Sequence, residues 1–120
     1  MGDVVWTPDG RGVLAPSGGG GGVDWHVFPI DGSEEVVSTG FAKLAAGAFS
    51  YQPRAWADGF IYYRRGDAGA SHIWRIKFDG NTWKPTGSPE RLTFGTGHEM
   101  AAAVSADGRR MAFASVSSLR

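Results

Sequence analysis

The residues able to do chemistry are few. Histidine occurs at positions 26, 72 and 98, and cysteine does not occur. Thiol catalysis, thiolate zinc sites and disulfides are therefore excluded. No two histidines have the i, i+4 spacing that places zinc ligands on one helix face. Gly69-Ala70-Ser71-His72-Ile73 begins like a nucleophile elbow but lacks its second glycine. The elbow also follows a strand, whereas this segment precedes one, so Ser71 is read as a hairpin residue. The five glycines Gly18 to Gly22 lead into Val23-Asp24-Trp25, without the Lys and Ser/Thr of a phosphate loop. They are predicted to form a hairpin loop. His98-Glu99 is the best pair for contacting a ligand, because it sits in a loop just before a predicted strand. No catalytic residue, metal ligand or cofactor site is predicted.

Charge narrows the partners. Twelve basic and twelve acidic residues cancel. A nucleic-acid binder normally carries a basic excess or stripe, so no nucleic-acid partner is expected. Tyr62-Tyr63-Arg64-Arg65 and Arg109-Arg110 are local exceptions, and the two tyrosines coincide with a predicted strand. Glu34-Glu35 reads as a solvated face. No run approaches eighteen apolar residues, so no membrane span is predicted.

The elements that must position these residues repeat. Asp-Gly pairs at 9, 58 and 107 are spaced by 49 and 49, and pairs at 31 and 79 by 48. Trp25 and Trp74 are also 49 apart, and residues 41–47 align with 89–95 at a shift of 48. A period of this size marks a repeat architecture. Each unit reads as four short strands. The first is Val4-Val5-Trp6, Arg54-Ala55-Trp56 or Ala102-Ala103-Val104, followed by the Asp-Gly turn. The second is Val13-Leu14-Ala15, Phe60-Ile61-Tyr62-Tyr63 or Met111-Ala112-Phe113-Ala114. The third alternates with period two in Trp74-Arg75-Ile76-Lys77-Phe78, with Trp25-His26-Val27-Phe28-Pro29 as its weaker copy. The fourth is expected to carry Leu44 or Leu92 and to end in glycine. Residues 41–49 are expected to be strand or loop, not helix. All five tryptophans are expected to pack between units. Aspartates that recur once per unit are read as turn formers, since a catalytic group need occur only once.

Four-stranded antiparallel units repeated in this way predict an all-β fold: a partial β-propeller of about two and a half blades. Blade one is placed at about 3–47, blade two at about 52–95 and a half blade at about 100–116, in a single region over 1–120. Trp6-Thr7-Pro8-Asp9-Gly10-Arg11 and Val104-Ser105-Ala106-Asp107-Gly108-Arg109 resemble the W-S-P-D-G-R signature of TolB-like (WD-like) propeller repeats. Ile73-Trp74-Arg75-Ile76 and Arg91-Leu92-Thr93 resemble that family's third strand and its R-L-T fourth strand. The resemblance departs from the pattern at Ala15-Pro16 and at Val104.

The resemblance implies a non-catalytic platform for a protein or peptide, contacted through the loops at one mouth, where His98 and Glu99 would lie. It also admits the gating propeller of a prolyl-oligopeptidase-like hydrolase, or a sensor region fused to a kinase or winged-helix regulator. Two and a half units cannot surround an axis. The chain is therefore expected to be a piece of a larger propeller, or a subunit that self-associates to cover its apolar faces.

Overall fold

The computed structural model describes residues 4–19, 22–30 and 35–116. The Asp31-Gly32 turn, Glu34 and the centre of the glycine run lie outside the described residues. Ten strands are present: β1 (Val5–Trp6), β2 (Gly12–Gly19), β3 (Gly22–Pro29), β4 (Val37–Ser38), β5 (Ser50–Ala57), β6 (Phe60–Asp67), β7 (Ala70–Lys77), β8 (Glu90–Arg91), β9 (His98–Val104) and β10 (Met111–Val116). The described residues contain no α-helix, and the fold is all-β. No helix is long and apolar enough to cross a membrane among the described residues.

Strands β1 to β4 form one antiparallel sheet in chain order. In the second sheet, β5, β6, β7 and β8 pair antiparallel in the same succession, and β9 and β10 form a hairpin beside β7. The hairpin joins through a single parallel bridge, Ser71 to His98.

The turns explain the chain reversals. In the first, Thr7 Oγ1 donates to Asp9 Oδ1 at 2.8 Å, and that same oxygen accepts the Arg11 amide at 3.0 Å. Ninety-eight residues later, Ser105 Oγ donates to Asp107 Oδ1 at 2.7 Å, and the Arg109 amide donates to the same oxygen at 3.0 Å. Gly10 and Gly108 both take φ 73°. The shorter second turn is a two-residue hairpin with Asp58 at φ 52° and Gly59 at φ 79°. Paired positive φ values match the strand twist, and Asp-Gly is the preferred sequence for them.

The core lies between the two sheets. From the first sheet and its following turn come Val5, Leu14, Trp25, Val27, Phe41 and Ala45. From the second sheet and the segment after β7 come Trp56, Ile61, Tyr63, Ile76, Phe78 and Trp83. Trp25 stacks on Phe41 with ring centroids 3.8 Å apart, meets the edge of Tyr63 at 5.3 Å, and donates its indole N–H to the Tyr51 carbonyl at 3.2 Å. That bond satisfies the polar end of a large buried ring.

Three expectations need correction. The fourth strand of the first unit is Val37–Ser38, and Leu44 instead sits in a short 3-10 helix, Phe41–Ala45. Gly40, at φ 77°, ends the extended run, and the Asp24 carboxylate accepts both the Gly40 and Ala42 amides at 2.9 Å. That carboxylate fixes the turn that the repeat pattern hid. Secondly, Trp6 is 61% exposed and does not pack between sheets. Thirdly, Trp25 and Trp74 are not equivalent. The β2–β3 and β6–β7 hairpins superpose in register at a shift of 48, which sets Trp25 against Ile73 and His26 against Trp74. Strand side chains alternate faces, so a one-residue slip puts the two indoles on opposite faces.

A buried polar clasp and an open apolar cleft

His98 and Glu99 open β9 and point to different surroundings. His98 is half-buried and lies opposite Ser71 and Val116. Glu99 is buried. Its Oε1 lies 2.5 Å from His72 Nδ1, and its Oε2 accepts the Gly95 amide at 3.1 Å. Its backbone carbonyl accepts the Ser71 hydroxyl at 3.1 Å. Adjacent residues of β7 thus hold both ends of one residue of β9.

The clasp extends outward. Thr93 Oγ1 accepts the Ile73 amide at 2.9 Å, and its hydroxyl donates to the Glu99 carboxylate. Arg91 Nη2 lies 3.0 Å from His72 Nε2. A guanidinium can only donate, so Nε2 accepts and the ring proton resides on Nδ1, facing Glu99. Burial alone pushes the Glu99 carboxyl up, but hydrogen bonds from Thr93, His72 and Gly95 outweigh it and hold the group below the usual carboxylate range. Gly95 is also a steric requirement: a Cβ there would fall 2.5 Å from Glu99 Oε2.

Ser71, His72 and Glu99 have the residue types of a hydrolytic triad but not its geometry. The Ser71 hydroxyl is spent on a carbonyl, and both ring nitrogens of His72 are engaged by other groups. No base among the described residues faces the hydroxyl, and these contacts tie β7 to β9. Among the described residues, no three His, Asp or Glu side chains gather as metal ligands. Tyr62 and Tyr63 are buried, while Arg65 pairs with Asp67 at 3.2 Å and lies over Trp74 at 5.4 Å.

The loops that lead into β5 and β9 each present an exposed phenylalanine, Phe49 at 78% exposure and Phe94 at 65%, the latter with the Arg91 guanidinium 4.9 Å from its ring centroid. Beside Phe49 lies an open cleft of about 420 Å³, lined by Pro16, Val23, Ala48, Phe49, Ser50, Tyr51 and Gln52. Among the described residues, none that lines it is charged. The Tyr51 hydroxyl, which closes one wall by donating to the Val23 carbonyl, has its pKa raised by burial and by the nearby Asp24. The sequence pointed to His98 and Glu99. It gave no sign that His72, Arg91 and Thr93 converge on Glu99, because these residues meet only after β7, β8 and β9 are brought side by side. Exposed Phe49 was masked by its alanine-rich surroundings.

Comparison with protein-family models, with curated proteins and with solved structures finds no match to this chain.

Proposed function

We propose that this chain is a non-catalytic segment of a TolB-like β-propeller that binds an extended, uncharged peptide segment of a partner protein. Two successive four-strand meanders and a further hairpin support the propeller reading. So does the packing of each unit's first strand on the next, β1 on β5 and β5 on β9. In this reading Glu99 fixes the mouth loop that leads into β9, and neither it nor His98 acts as a catalyst.

The observation that carries the binding role is the apolar cleft beside Phe49. An aromatic ring left 78% exposed, next to a concave surface with Ser50 and Gln52 for polar contacts, suits an apolar peptide. Selection of a random peptide library on the immobilised chain tests it. The expected result is an enriched aliphatic or aromatic motif that loses binding at least about tenfold on Phe49→Ser, the size of one lost apolar anchor. A library with no enriched motif, or a motif that binds the variant equally well, overturns the peptide role.

A further inference from the structure

The sheets stack with a direction. Side chains of paired strands alternate, so each sheet has two distinct faces. The face of the second sheet that meets the first carries Trp56, Ile61, Ile76 and Phe78, all buried. At the equivalent register the first sheet carries Trp6 paired with Val13, and Val13 paired with Phe28. That row points away from the core. Trp6 is 61% exposed where Trp56 is 8%, and Phe28 is 36% exposed where Ile76 is 0%. His26 lies on the same face, its ring 6.3 Å from Phe28.

The opposite face repeats as well. Val5 paired with Leu14 is buried against the second sheet. Ala55 paired with Tyr62 is the equivalent row of the second sheet, with Tyr62 buried on the side where β9 packs. Ala103 paired with Ala112 is the third such row, on the terminal hairpin, and both residues are exposed. One end of the stack is therefore a bare row of large side chains. The other is a bare pair of alanines, at the register whose counterparts in the first two units, Val5–Leu14 and Ala55–Tyr62, lie against the next unit.

We propose that these two faces are partners in trans: the β9–β10 hairpin of a second copy of this chain docks on the outer face of β1–β2–β3. The contact is head-to-tail, so it propagates, and it closes into a ring where the rotation per copy permits. The argument uses the two intramolecular contacts as templates; it rests on the propeller reading, with a second copy supplying the neighbouring blades, and is independent of the peptide site.

Sedimentation velocity over a concentration series tests it with two variants at exposed positions, Trp6→Glu and Ala112→Glu. The wild type is expected to associate with rising concentration. Each variant alone is expected to remain monomeric with an unchanged circular dichroism spectrum and melting temperature at low concentration. Mixing the two should restore a one-to-one complex, since each retains the face the other has lost. A monomeric wild type at every soluble concentration overturns the proposal. So does a mixture that fails to form the complex, which a symmetric face-to-face contact or edge pairing would produce.

Discussion

Glu99 shows how one buried carboxylate can serve a fold. Its hydrogen bonds favour the charged form, so its pKa in the folded chain lies below the unfolded value. A depressed acid contributes stability fully above its unfolded pKa, about 4.3 for glutamate. That contribution is lost as pH falls through the lower, folded value. Asp24 behaves alike, its carboxyl pushed up by burial but lowered further by Ser38 and the Ala42 and Gly40 amides. The Glu99→Gln variant is therefore expected to be less stable at neutral pH by about 1–3 kcal/mol, the usual cost of spoiling a buried charged hydrogen bond. Its deficit should shrink as pH falls below about 4. Urea melts of both proteins across the acid range check this, and a deficit that persists unchanged at low pH counts against the assignment.

At the scale of elements, the hairpin turns carry much of the architecture. Asp9, exposed, is held at about 2 chiefly by the Arg11 amide and then by its guanidinium and by Thr7. Asp107 is likewise lowered, by the Arg109 amide first and then Ser105. These aspartates recur because the turn needs an acceptor that ties its own following amide, a job each turn must do for itself. Gly59 has open space around it, so any penalty for a side chain there comes from its φ of 79° alone. Gly59→Ala should cost about 1–2 kcal/mol, the strain of an L-residue in the left-handed region. Gly80 is also open but has no such positive φ. Gly80→Ala should cost less, and equal losses in thermal melts of the two variants would show that the penalty is not conformational.

Across the whole molecule, Trp25 is the keystone of the contact between sheets. It is fully buried, stacked on Phe41 and bonded to the Tyr51 carbonyl. Trp25→Ala should destabilise the chain by about 3–5 kcal/mol, as for other large core truncations. Because the core is shared between the sheets, strand signal and tryptophan fluorescence should be lost together in the variant. A second sheet that stays folded after the first has melted would show that the two do not depend on each other.

Composition, turn residues and the spacing of Asp-Gly pairs were sufficient to determine an all-β chain; that β9–β10 would join the second sheet beside β7 was not legible in them. Such information is local: a glycine at positive φ and an alternating strand declare themselves within a few residues. Facing was not local. Trp25 and Trp74 share a spacing yet face opposite ways, because the hairpin register decides the face and the spacing misses it by one residue. Trp6 matches the repeat and is still exposed, because burial depends on whether another sheet lies beside it. The clasp around Glu99 joins groups from β7, from β9 and from the loop after β8, and only their assembly brings a carboxylate, an imidazole and a threonine within hydrogen-bonding reach. Residue types set which contacts were possible; the packing of one sheet on the next decided which were made.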